Sequence, residues 1–450
     1  MQNILILGAG RSATSLINYL IDQAANHDWH VIVADMSLAL ANSKIGNKAN
    51  ATAVEFIADD AQMREMLISQ ATVVISMLPM YLHSLVAKDC LRLGKSLFNA
   101  SYVAKEFYDM EAELKEKGLV FLCELGLDPG IDHMSAMQII DELKAQKAEI
   151  ESFGSYTGGL VAPKDDNNPW HYKFSWNPRN VVVAGQNTAK YLENGKYKYV
   201  PYQRLFAEAQ PIQVPGMGEY EIYPNRDSLA YTKIYGLEDV PSLLRATIRC
   251  KGYARAWNVF VQLGLTDDTY TIPNSEQLTY KEYFESFLAP HIYKANNYSI
   301  EATLMQLFNL QANDEIFNQM AWLEVYSDQR KVGKKEATPA QILLQLLEEK
   351  WVLLPEEKDL VIMQHEFIYK LNGKRYKRTS TLVQEGENAI NTAMSSLVGL
   401  PLAIAVKHYL LGNIKVTGVQ IPTTPDVYNP ILKDLEALGV TFNELVEELA

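Results

Sequence analysis

The stretch Asn3–Ile21, NILILGAGRSATSLINYLI, decides how the first part of the chain folds. A short apolar run enters Gly8-Ala9-Gly10, and apolar residues then recur at helical spacing through Leu16, Tyr19 and Leu20. The glycines read G-x-G-x-x-A, and strand, glycine turn and helix form the context in which that pattern cradles a pyrophosphate. Gly8 permits the tight turn, Gly10 lets the backbone approach a phosphate, and Ala13 is small enough for the helix to lie against the strand. The helix N-terminus then faces the negative charge.

Working outward, WHVIVAD (29–35) reads as a second strand ending on Asp35, 22 residues after Ala13, where a ribose-binding carboxylate belongs. Asp35 accepts from ribose hydroxyls and repels a 2′-phosphate, which predicts NAD, with NADP the alternative. Strands are expected at 52–58, 72–78, 96–101 and 119–125, with helices at 60–70, 81–93 and 104–117 between them. Six strands alternating with helices make a doubly wound parallel α/β sheet, and its ligands sit at the carboxyl ends of the strands. The dinucleotide contacts expected on that rim are Gly8, Gly10, Arg11, Ser12, Ala13, Asp35, Asp59, Leu78, Pro79, Ser101, Leu127 and Asp128. Asp59 and Asp60 are read either as reaching the adenine edge or as capping the next helix. The sixth strand runs into LCELGLDPGIDHM (122–134), which places Glu124 and Asp128 on the same rim. Pro129 stiffens this turn, Gly130 is expected to expose its N–H, and Asp132 fits a helix cap.

With 450 residues, 48% apolar and 21% charged, the chain is globular in composition and long enough for two or three domains. A net charge of −13 argues against nucleic acid and anionic membrane surfaces. It also requires a local cluster of Arg or Lys if the substrate is an anion. No apolar run reaches the ~18–20 residues of a membrane span, and no basic, apolar leader precedes the first strand at Asn3 or Ile4. Cys90, Cys123 and Cys250 are too scattered for a disulfide framework, and no spacing suggests a metal. They predict reduced, buried thiols in a cytoplasmic protein.

Beyond Glu149 the pattern changes. IESFGSYTGGLVAP reads as a strand running into a glycine turn. NNPWHYKFSWNPRN (167–180) then concentrates aromatic and basic residues, the composition of a wall around a polar organic ligand. EIYPNRDSLAY (221–231) sets Asn225, Arg226, Asp227 and Ser228 in one turn after a strand. ATIRCKGY (246–253) puts Arg249 and Lys251 on one strand face. Lys173, Arg226 and Arg249 are the candidates for the required cation cluster. Residues 255–350 read as mostly helical, 359–384 as a hairpin turning at Asn372-Gly373, and the last 60 or so as a return to α/β character. The expected domains are 1–125 with 388–450, 126–254 with 355–387, and a helical subdomain at 255–354. The fold class is thus a doubly wound parallel sheet plus a second, mixed-sheet α/β domain for the substrate.

GAGRSATSL, ISMLP, NASYV, ELGLDPGIDHMSAMQIID, SYTGGLVAP, NPWHYKFSWNPR, YPNRDS, TIRCKGY and VGLPLAIAVK resemble, in the same order and over nearly the whole chain, the L-glutamate-forming saccharopine dehydrogenases. The resemblance implies a Rossmann sheet, a homodimer and a reversible NAD(P)-dependent reaction. In it, saccharopine and water give glutamate and 2-aminoadipate 6-semialdehyde through hydride loss from a secondary amine and hydrolysis of the imine. A substrate with three carboxylates would meet the cation requirement. Carried over by motif, Ser101 and Tyr102 lie at the junction of nicotinamide and substrate, Trp176 forms a wall, Arg226 and Arg249 bind carboxylates, and Asn225 belongs to the same site. Asp128 orients the reacting groups. The proton-transfer group stays open among Asp128, His133 and Lys173. Thr157 and Val161 stand where the family often has Cys and Pro, and fungal relatives tend to carry Arg after the second strand, where this chain has Asp35. The rival readings are a carboxynorspermidine or carboxyspermidine dehydrogenase-like polyamine enzyme and a non-catalytic dinucleotide-binding protein.

Overall fold

A computed structural model describes residues 1–183 and 188–450. The chain forms two compact units, one of residues 1–151, 233–237 and 365–450, the other of residues 152–232 and 238–364. The stretch expected as a separate helical subdomain is part of the second unit.

In the first unit β1 (Gln2–Leu7), α1 (Thr14–Ala24), β2 (Trp29–Asp35), α2 (Leu38–Ile45), β3 (Ala51–Glu55), α3 (Ala61–Gln70), β4 (Val73–Ser76), α4 (Met80–Arg92), β5 (Ser96–Asn99), α5 (Glu111–Glu116), β6 (Val120–Leu122) and α6 (Ile131–Ala145) follow one another. Strands and helices alternate as the periodicity predicts, and β1 lies between β2 and β4, paired parallel to both. Ile4 to Leu7 are fully buried, as expected of a central strand covered on both faces. The strands end earlier than the apolar runs that predicted them. β5 stops at Asn99 and β6 at Leu122, which leaves Ser101 and Glu124 in rim loops.

The second unit carries a mixed sheet. β7 (Glu149–Val161) pairs parallel to a later strand, Ser242–Arg249, which itself lies antiparallel to Gly218–Pro224. Numbered in order, these are preceded by β8 (Ala189–Glu193), β9 (Lys196–Val200) and β10 (Gln210–Val214), so Gly218–Pro224 is β11 and Ser242–Arg249 is β12. The glycine turn expected at Gly158-Gly159 does not form, because β7 continues through it to Val161. A Cβ on Gly158 would lie 2.4 Å from the Ile248 carbonyl oxygen, so the glycine serves close strand approach rather than a turn. Helices dominate from Tyr253 to Lys350.

The hairpin of β13 (Asp359–Leu371) and β14 (Lys374–Glu385) turns at Asn372 and Gly373, both with positive φ (52° and 79°), as the Asn-Gly pair requires. The basic run of β14 is balanced by acids on a closing strand, Asn443–Leu449, which pairs antiparallel to it; Lys374 meets Glu448, and Arg378 meets Glu444 and Glu142. Helix Ala393–Leu410 has the length and apolarity of a membrane span, contrary to the reading that no such run exists. It lies in the core instead: a Cβ on its Gly399 would come within 2.7 Å of the Leu16 nitrogen of α1. The short strand Gly418–Gln420 pairs parallel to β6 and completes a seven-stranded sheet, as the α/β character of the C-terminus predicts.

Candidate active site

Gly8 has φ +102°, and a Cβ there would sit 2.9 Å from the Met77 carbonyl, so the turn tolerates no side chain. At Gly10 an added Cβ would meet nothing within 4 Å; the backbone faces open space, as a phosphate cradle needs. Ala13 is buried at the start of α1 and Arg11 is exposed. Asp35 ends β2 partly buried. Its Oδ2 accepts from the Ala9 N–H at 2.8 Å and its Oδ1 from the Ser37 N–H at 2.9 Å. The carboxylate therefore sits against the glycine turn itself, with lone pairs left for a ribose. Asp60, not Asp59, caps α3, accepting from Gln62 and Met63, while Asp59 is exposed. Leu78 and the exposed Pro79 follow β4. The residues present fit a dinucleotide.

The turn after β6 is closed by its own backbone. Gly126 N–H donates to the Pro129 carbonyl and Ile131 N–H to Gly126. A Cβ on Gly130 would stand 2.0 Å from the Gly126 oxygen. The Gly130 N–H, expected to be open to a ligand, donates to Asp132 Oδ1 at 2.6 Å. Leu127 is buried. Asp128 is the side chain this turn leaves partly exposed, and Tyr102 Oη donates to its Oδ1 at 3.3 Å.

Glu124 and His133 do not belong with Asp128. His133 is fully buried, its Nε2 2.8 Å from Glu124 Oε2 and its Nδ1 2.6 Å from Tyr235 Oη. A carboxylate only accepts, so Nε2 carries a proton toward Glu124. Both nitrogens are engaged inside the first unit, which removes His133 from the acid–base candidates. Glu124 also accepts from the Val103 N–H at 3.2 Å and holds a left-handed backbone (φ 57°), so it ties the β5 and β6 loops together. Glu124→Ala strands a buried imidazole N–H and is expected to cost about 3 kcal/mol in urea unfolding; a loss below about 0.5 kcal/mol would show that the tie carries no weight.

Within the second unit the aromatic stretch is mostly core. Trp170, Tyr172 and Phe174 are buried with Trp257, Phe260 and Trp351, and Trp170 Nε1 donates to the Gln319 carbonyl. Trp176, expected as a ligand wall, packs against the same core but stays partly exposed and donates to Tyr172 Oη. Lys173 is buried with Nζ 2.5 Å from Glu357 Oε1, and Glu357 is held in turn by Asn167 and the Leu354 N–H. Its charge is used inside the fold, which takes Lys173 out of both the cation cluster and the base candidates. Lys251 is likewise paired at the surface, with Glu219. Arg249 is 5% exposed, its guanidinium 5.1 Å over the Tyr172 ring and 5.4 Å over the Tyr253 ring. Nη1 donates to the Ile248 carbonyl, and Nε has no partner among the described residues. Arg226 is exposed at φ 49° in the turn after β11, while the Asn225 N–H is bonded to the Arg245 carbonyl.

The matches to known families cover both units. A model of the saccharopine dehydrogenase NADP binding domain matches residues 4–122, and one of the saccharopine dehydrogenase C-terminal domain matches residues 126–440. The chain belongs to the saccharopine dehydrogenase family. The saccharopine dehydrogenase [NADP(+), L-glutamate-forming] of Saccharomyces cerevisiae is 33% identical over 97% of each chain. The mitochondrial alpha-aminoadipic semialdehyde synthase of Mus musculus is 34% identical over 98% of this chain, which spans 47% of that protein. The solved apo saccharopine dehydrogenase (L-Glu forming) of S. cerevisiae superposes with a TM-score of 0.87 at 31% identity, covering 99% of this chain and all of the other. As in the family's NADP-binding model, the first unit binds a nicotinamide dinucleotide.

In this saccharopine dehydrogenase fold one rim group was missed by the sequence reading. His83 of α4, 2% exposed, bonds Ser76 Oγ through Nδ1 (2.8 Å) and Ser101 Oγ through Nε2 (2.9 Å). Burial pushes its pKa down to about 4. A lone histidine in an apolar helix carries no periodic signal, so nothing in the sequence set it apart. The three cysteines are unpaired; burial pushes the Cys123 and Cys250 thiols up to about 12, which keeps them inert.

Proposed function

We propose that this protein is an L-glutamate-forming saccharopine dehydrogenase, oxidising saccharopine with NAD(P)⁺ and water to glutamate, 2-aminoadipate 6-semialdehyde and NAD(P)H. The observation that carries the reading is the rim of the first unit, where Ser101, Tyr102 and Asp128 stand at the carboxyl ends of β5 and β6 in a chain related along its whole length to such enzymes. The bound dinucleotide supplies the hydride acceptor. Asp128 and Tyr102 hold the secondary amine, and the carboxylate takes its proton so that the nitrogen lone pair can expel hydride from the adjacent carbon. Water adds to the resulting C=N bond, and the same pair returns the proton as the carbon–nitrogen bond breaks. Arg226 binds a substrate carboxylate, countering the −13 charge of the whole molecule. Arg249 is a desolvated cation held over tyrosine faces in place of a carboxylate.

NADH oxidation with glutamate plus the semialdehyde tests the reading. Turnover there, and none with pyruvate or polyamine aldehydes, is the expected result; turnover only with the polyamine set assigns the rival chemistry, and NADH binding without turnover a sensor.

For the cofactor, Asp35 supports NAD. The fungal relatives carry NADP(+) in their names, and Asp35 is the local reason to expect a different preference here. Asp35→Ala also frees the Ala9 and Ser37 N–H groups, which burdens both cofactors, so the ratio is the readout. The kcat/KM ratio of NAD to NADP is expected to fall at least about tenfold, the loss of a charge-assisted ribose contact together with a charge repulsion. An unchanged ratio ends the assignment.

A further inference from the structure

We propose that His83 is a positioning residue that sets the Ser101 hydroxyl as the hydrogen-bond partner of the nicotinamide carboxamide. The inference rests on the dinucleotide reading of the first unit and assigns a residue that no motif carries. The sheet order places β2 and β3 on one side of β1, and β4, β5 and β6 on the other. A dinucleotide lies across that reversal, so the glycine turn and Asp35 serve its adenosine half and the ends of β4 and β5 its nicotinamide half. Ser76 ends β4, His83 lies on α4, and Ser101 follows β5.

Two anchors leave Ser101 only its side-chain torsion. Its N–H donates to Asn99 Oδ1 at 2.9 Å, and its carbonyl accepts from Glu124 N–H at 3.0 Å. Asn99 is itself buried and donates to Cys123 Sγ. His83 Nε2, 2.9 Å from Ser101 Oγ, fixes the torsion. Ser76 fixes the imidazole from the other side. Burial keeps the ring neutral at physiological pH, so it has one donor and one acceptor. With the proton on Nδ1, Nε2 accepts from Ser101, whose lone pairs face outward to a carboxamide N–H. With the proton on Nε2, the Ser101 O–H points outward to the carboxamide carbonyl. Either tautomer gives the hydroxyl of the partly exposed Ser101 one polarity, which a buried histidine of purely structural use would have no reason to impose on a rim group.

Binding of NADH and of ADP-ribose, which lacks the nicotinamide, separates positioning from structure in the whole protein. His83→Asn, which cannot span to Ser101, and Ser101→Ala are each expected to weaken NADH about three- to tenfold, the effect of one neutral hydrogen bond, and to leave ADP-ribose unchanged. His83→Gln, whose amide reaches the Nε2 position, recovers most of the loss. The double variant is no weaker than Ser101→Ala, because both act through one hydroxyl. Equal weakening of both ligands by His83→Asn, or no weakening of NADH, overturns the proposal. Should His83 variants fail to fold, Ser76→Ala and Ser101→Ala carry the test, and NADH binding unchanged in both overturns it. Wild-type protein that binds neither of these ligands nor NADPH defeats the dinucleotide reading instead, and this inference with it.

Discussion

Asp128→Ala lowers kcat for saccharopine oxidation by about 10²–10⁴, the usual contribution of a positioned proton-transfer group, and changes the NAD KM by less than about threefold. The carboxylate is the acceptor of Tyr102 Oη on the rim and is partly exposed, whereas the other acids of its turn, Glu124 and Asp132, are buried and committed to His133 and to the Gly130 N–H. With the acid removed, the amine's proton has no fixed destination, and hydride loss from an ammonium is blocked because nitrogen lacks the lone pair that expels it. Asp128→Asn keeps the shape and is expected to lose nearly as much, because an amide cannot take the proton. Stopped-flow rates for single turnover check this directly. A kcat within about threefold of wild type in both variants would move the chemistry away from Asp128, and Tyr102 would be the next group to test.

Arg226→Ala should raise the KM for saccharopine about ten- to hundredfold, the worth of a charge-assisted contact to a carboxylate, and leave that for NAD alone. The backbone of the turn that carries it is held on both sides of the side chain: the Arg226 carbonyl accepts from Lys190 N–H, and Asp227 pairs with Lys190 at 2.9 Å while capping the next helical turn. Arg226→Lys restores charge without the planar fork and is expected to recover only part of the affinity. Equal rises in both KM values would remove Arg226 from the substrate site.

The first unit was legible because its signals are local. Period-two and period-3.6 apolar patterns place β1 to β6 and their helices, a glycine turn needs only its own backbone, and Asp35 sits where its strand ends. The Asn372-Gly373 hairpin and the return of the C-terminus to the parallel sheet were readable for the same reason. The departures come where a side chain's meaning depends on a partner far along the chain. Lys173, Trp170 and His133 carry the residue types of an active site. Glu357, the Trp257–Trp351 cluster and the Glu124–Tyr235 pair, however, convert them into an internal ion pair, core and a tie between loops. Conversely, His83 carried no pattern at all, and only the approach of Ser76 and Ser101 gives it a task. Composition and periodicity alone thus determined the sheet, the dinucleotide turn and the need for local positive charge in an acidic molecule. Which polar groups are left over to meet a ligand was decided by tertiary packing, because a buried donor or charge must first find its partner, and that partner can lie hundreds of residues away.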